Sequence, residues 1–95
     1  MECGTIYVDL CGVHWASVDF YQVVGFSGSS VRLRQIRSYL VDRGGKDFGL
    51  VVPVRDAFIG SEFTKRQSSM RWMIPHKTGS NYFINIDNVD NLLFT

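Results

Sequence analysis

Cysteine, proline and histidine are each present only twice in these 95 residues. Two cysteines allow at most one disulfide, which excludes a staple-dependent secreted mini-domain and points to a reducing, cytoplasmic setting. No apolar run is long enough to span a bilayer; Leu50 to Val54, one of the longest, is broken by Pro53. The first residues lack the basic, apolar, small-residue order of a signal peptide. The net charge is only +1, so the chain has neither the strong basic excess of a typical nucleic-acid binder nor the acidity of a DNA mimic. No phosphate loop is present. Gly25-Phe26-Ser27-Gly28 and Gly44-Gly45 lack the lysine and hydroxyl residue that must follow the second glycine.

What the sequence does contain is enough apolar residue for one core. Hydrophobic residues make up 45% and aromatics 14%, the composition of a single globular domain over residues 1–95. The charge is unevenly placed. Residues 1–31 carry Glu2, Asp9 and Asp19 and no cation. Residues 32–77 hold every lysine and arginine against Asp42, Asp47, Asp56 and Glu62, a balance of +6. The middle of the chain is therefore expected to form a basic face suited to phosphate or to an acidic protein surface.

The periodicity is that of strands. In Thr5 to Leu10, Ile6, Val8 and Leu10 alternate with Tyr7 and Asp9. Val18 to Phe26 is rich in β-branched and aromatic residues. Ser27-Gly28-Ser29-Ser30 reads as a tight turn into Val31-Arg32-Leu33-Arg34, a hairpin with a basic outer face. Ile36 breaks the parity of Val31 and Leu33, so either a bulge lies near Gln35 or that end of the strand is covered on both sides. Phe48 to Val54 reads as a third strand, with Pro53 at an edge or strand end. Asp56 to Gly60 reads as one helical turn ended by Gly60. Glu62–Gln67 and Met70–Ile74 read as a second hairpin turning at Ser68-Ser69, with Trp72 sharing core parity with Met70 and Ile74. Tyr82 to Ile86 reads as a strand, and Val89 to Phe94 as a short strand or helical turn. Six to seven short strands with at most one short helix predict a mainly β fold: a small antiparallel barrel of SH3-like kind, or a strongly bent sheet.

The candidate chemistry is thin. Cys3, Cys11, His14 and His76 together match a tetrahedral zinc site in residue type. However, an extended strand from Thr5 to Leu10 sets the two cysteines about 25 Å apart unless Gly4 reverses the chain. The expectation is no cofactor. Cys11 with His14 or His76 is too short a pattern for a cysteine nucleophile, and the carboxylates show no acid–base pairing. Asp87 and Asp90 lack the ligand spacing of a calcium loop. No enzyme is expected. The better signal is cations among aromatics, and Arg32, Arg34, Lys65, Arg66, Arg71 and Trp15 are the expected partner-binding residues.

Ser17-Val18-Asp19-Phe20-Tyr21-Gln22-Val23-Val24 and Ser30-Val31-Arg32-Leu33-Arg34-Gln35-Ile36 resemble a family of small proteins of bacteriophages and other mobile elements. So do Val51-Val52-Pro53-Val54 and Ile59-Gly60-Ser61-Glu62-Phe63-Thr64-Lys65-Arg66. The family's Gly-Tyr-rich loop before the Val-Asp-Phe-Tyr strand is here Cys11-Gly12-Val13-His14-Trp15-Ala16, so no role for that loop carries over. The resemblance implies a non-enzymatic accessory protein in the bacterial cytoplasm. Such a protein, monomer or homodimer, would bind and inhibit a host defence complex, as an anti-CRISPR protein blocks a Cas9-type effector nuclease. The rival expectations are a single-stranded nucleic-acid-binding β module and a metal-stabilised structural protein.

Overall fold

A computed structural model describes residues 2–11, 17–42, 48–70, 73–77, 80, 82–85 and 92–93. The fold is mainly β. Five strands form one antiparallel sheet in the order β1-β2-β3-β4-β6: β1 (Ile6–Cys11), β2 (Ser17–Ser27), β3 (Ser30–Asp42), β4 (Phe48–Arg66) and β6 (Tyr82–Asn85). Two short segments join it. β5 (Ile74–Pro75) pairs antiparallel with β1, and β7 (Leu92–Leu93) pairs parallel with β3 at Ser38 and Tyr39. The described helical content is one 3-10 turn at Gln67–Ser69.

Among the described residues the sheet stays open, so the expected SH3-like barrel is not formed. It is nevertheless strongly curled. In a flat sheet β2 and β6 would lie about 14 Å apart, at 4.8 Å per strand step. The rings of Phe20 on β2 and Tyr82 on β6 are instead 5.6 Å apart, edge to face. The long direction stays extended, with principal dimensions of 45 × 26 × 24 Å.

The β2–β3 hairpin forms as its sequence predicts, turning through Gly28 at φ +60°. Two other expectations are corrected. Asp56 to Gly60 is not a helical turn, and Glu62 to Ile74 is not a hairpin. β4 runs continuously through Pro53, Asp56 and Gly60, and accommodates these residues as register shifts against β3. Between the partners of Ile36 and Ser38, β4 advances from Phe58 to Pro53, three residues more than β3 does. Pro53 lies beyond the stretch Phe48–Val51 that pairs with β6; its missing N–H costs no bond on that side. After Arg66 the chain leaves the sheet edge. Met70 and Met73 are buried, and Ile74, expected in the core with Met70, is 51% exposed on β5.

The parity break at Ile36 has a definite cause. β2 and β3 keep unbroken register from Phe20↔Ile36 to Val23↔Leu33, so Leu33 and Ile36 point to opposite faces. Each belongs to its own core. Ile6, Val8, Val18, Phe20, Ile36, Leu40 and Val51 are buried together on what we term the Phe20 face, with Phe58 and Tyr82 packed on them. Tyr7, Val23, Val31, Leu33, Met70 and Met73 are buried on the Leu33 face, with Tyr21 and Phe63. Each face is thus apolar over one half and polar over the other, and the halves are diagonally opposed.

Candidate partner-binding face

The polar half of the Phe20 face is built by the far ends of β2, β3 and β4. Alternation from Ile36 and Leu40 places Arg34 and Arg32 on this face. Both guanidinium groups are held in place. Arg34 donates from Nε to the Gly60 carbonyl at 2.8 Å and lies 5.1 Å above the Phe58 ring. Arg32 pairs with Glu62 at 3.5 Å, and its guanidinium lies over Gly25, its cross-strand neighbour. Gly25 provides that space, since a Cβ there would collide with the Arg32 guanidinium.

A second clasp sits beside them. Buried Gln22 donates from Nε2 to Asp56 Oδ1 at 2.8 Å and accepts from the Asp56 backbone N–H at 2.8 Å. This doubled bond ties β2 to the irregular middle of β4. It holds Asp56 at φ +66°, a left-handed conformation that aspartate tolerates better than most residues. Gly60, at φ +69°, is also left-handed within β4.

Of the six residues expected to contact a partner, Arg32, Arg34, Lys65 and Arg66 come together at the β3–β4 end, whereas Trp15 and Arg71 lie outside the described residues. The four do not share one surface. Thr64 pairs with Arg32, which puts Glu62, Thr64 and Arg66 on the Phe20 face. Leu33 pairs with Phe63, which turns Lys65 to the Leu33 face. Gln22, Asp56, Phe58 and Glu62 were not expected at this site. Gln22 and Asp56 are 34 residues apart in sequence, and no local pattern signals that contact.

The polar half of the Leu33 face carries an acidic pair on β1 and β2. Asp9 and Asp19 are direct cross-strand partners, and Gln35 Nε2 donates to Asp19 Oδ1 at 3.2 Å. Burial first, then the Asp9 charge, raises the Asp19 pKa above its usual value of 3.8. A raised carboxylate pKa means that the folded state binds the proton more tightly. Ionised Asp19 therefore costs stability above its folded pKa, and the cost vanishes below pH 3.8. Asp19→Asn keeps the acceptor for Gln35 and removes the charge. It is expected to raise stability at pH 7 by about 0.2–1 kcal/mol, with the gain gone at pH 3 to 3.5. Urea titrations at the two pH values check this, and a loss of stability at pH 7 contradicts it.

His76 closes the apolar end of the Phe20 face. Its N–H donates to the Ile6 carbonyl at 2.8 Å, its Nδ1 lies 3.4 Å from the Tyr82 hydroxyl, and its ring stands edge-on to Phe20 at 6.2 Å. Burial, then the Arg55 charge, lowers its pKa from 6.5 and so favours the neutral ring. Burial also raises the Tyr82 pKa.

The zinc set does not assemble from what is described. Gly4 does turn the chain (φ +91°), but its N–H binds the Val23 carbonyl, leaving exposed Cys3 at the Val23 end of β2. Cys11 pairs with Ser17 at the other end, about 20 Å away at 3.3 Å per residue. His14 lies outside the described residues. Among the described residues no three His, Cys, Asp or Glu side chains group to hold an ion. Among them, too, no helix is long and apolar enough to cross a membrane. Comparisons with protein-family models, with curated proteins and with solved structures found no match.

Proposed function

We propose that this chain is a non-enzymatic binding protein that docks the polar half of its Phe20 face on an acidic surface of a host protein. The arginine pair supports the reading. Arg32 and Arg34 stand side by side on one strand face, each held by a bond to β4. Preset arginines lose less freedom on binding than free ones, and Arg is the cation most enriched at binding hot spots. Arg34 spends only its Nε on Gly60, which leaves the outer fork of its guanidinium to meet a carboxylate. Exposed Arg66 extends the row.

The partner class comes from the resemblance of the β2, β3 and β4 segments to small mobile-element proteins. On that basis the host protein is a defence complex in the bacterial cytoplasm, a Cas9-type effector in particular, inhibited by occupation of a surface it needs for DNA loading or domain movement. A face of roughly 800 Å² suffices for such stoichiometric binding.

The same cations fit the phosphates of a single strand, and salt separates the two readings. Phosphate binding weakens steeply as counterions are restored. Titration of labelled single strands is expected to show no saturable binding even at low salt. Saturable binding that collapses as salt is raised would replace this reading with a nucleic-acid module.

A further inference from the structure

We propose that the chain forms a symmetric dimer by antiparallel pairing of the β4 edge, Ser61 to Arg66, with the same edge of a second copy. It does not rest on the partner proposed above, although Arg66 lies on both surfaces.

The backbone of this segment fixes which residues offer bonds outward. The Gln67 N–H donates to the Ser29 carbonyl at 3.2 Å, in register with Ser30↔Arg66 and Val31↔Lys65. In an antiparallel ladder the inward-bonding residues alternate. Phe63 and Lys65 therefore turn their N–H and C=O toward β3, as the Gln67 N–H does before its carbonyl enters the 3-10 turn and accepts from Met70, and Glu62, Thr64 and Arg66 turn theirs toward the free edge. β6 covers β4 only from Phe48 to Val51, and among the described residues no other strand pairs with β4 on that side. From Ser61 to Gln67 every residue is exposed except half-buried Phe63. A regular, uncovered edge of this kind is a template for another strand.

The side chains identify that strand as a second copy. Placing Thr64 on a two-fold axis pairs it with the second copy's Thr64. The same register puts Glu62 opposite the second copy's Arg66, and Arg66 opposite its Glu62. All of these are outward-bonding residues, as the ladder requires. The two ion pairs lie on the Phe20 face, where Glu62 already meets Arg32. On the Leu33 face Phe63 meets the stem of the second copy's Lys65. Threonine pairs and opposite charges are the favourable cross-strand combinations. Neighbouring registers lose them: one sets Glu62 against Thr64, and the other sets Lys65 against Lys65. The irregularity at Gly60 on one side and the 3-10 turn at Gln67–Ser69 on the other limit the pairing to this stretch.

Sedimentation velocity of the full chain, from low micromolar to millimolar concentration, tests the proposal. The expected result is a reversible shift from the 10.8 kDa monomer toward twice that mass. Glu62→Arg and Arg66→Glu, each exposed and so compatible with folding, are each expected to weaken the dimer about fivefold or more. The two together restore it, because the pairs re-form with the charges exchanged. Hydrogen exchange gives a second readout, in which the amides of Glu62, Thr64 and Arg66 gain protection as concentration rises. A monomer at every concentration, or a double variant no better than the single ones, overturns the proposal.

Discussion

Truncating Leu33 to alanine is expected to lower stability by about 2–5 kcal/mol, and truncating Ile36 to do the same. The expectation is unusual for two residues of opposite parity on one strand. In a one-sided sheet one of them would face solvent, and its loss would cost little. Here both are fully buried, Leu33 against Val23 and Val31, and Ile36 against Phe20 and Leu40. Either loss leaves a cavity in a small core, which in a domain of this size lowers Tm by at least about 10 °C. Arg37→Ala, on the same strand but exposed, serves as the control and is expected to stay within about 0.5 kcal/mol. Thermal unfolding followed by circular dichroism gives the result. A cost below about 1 kcal/mol for either Leu33→Ala or Ile36→Ala would contradict the divided core.

Reversing both preset arginines, Arg32→Glu with Arg34→Glu, is expected to weaken binding to the partner at least about 100-fold. Truncating a single hot-spot arginine typically costs 2 kcal/mol or more, and charge reversal adds repulsion from an acidic surface. The same variant should remain folded. The Arg32–Glu62 pair is exposed and contributes about 0–1 kcal/mol, and the Arg34 contacts to Gly60 and Phe58 add a comparable amount. Loss of binding with little change in Tm places the arginines at the interface. Unchanged binding removes them from it. Lys65→Glu, on the opposite face, is expected to change binding far less.

Much of the fold is legible in the sequence where pattern and chain order agree. The Ile6-Val8-Leu10 alternation is β1, and the turn at Gly28 sets the β2–β3 hairpin. Ile36 marks a parity break that leaves a bulge and a two-sided cover both open in the sequence, and the unbroken β2 pairing of the fold decides for the two-sided cover. Pro53, Asp56 and Gly60 mislead. Each is a local stop signal, yet the clasp from Gln22 and the bond from Arg34 hold these residues within one long strand. Tertiary contact decides there, over propensity. The second hairpin fails for a related reason: β5 pairs with β1, far away in sequence, and Met70 and Met73 fill the Leu33-face core. At the candidate site, the shared face of Arg32 and Arg34 follows from alternation. What holds them does not, since Gly60, Phe58 and Glu62 reach them across a register shift that no local pattern encodes.

The most direct measurement titrates the wild-type chain into target-DNA cleavage by a guide-loaded Cas9-type nuclease. Cleavage is expected to fall in proportion to added chain and to reach its floor near one equivalent, without any modification of nuclease, guide or DNA. Full cleavage in the presence of a large molar excess of the chain would contradict this.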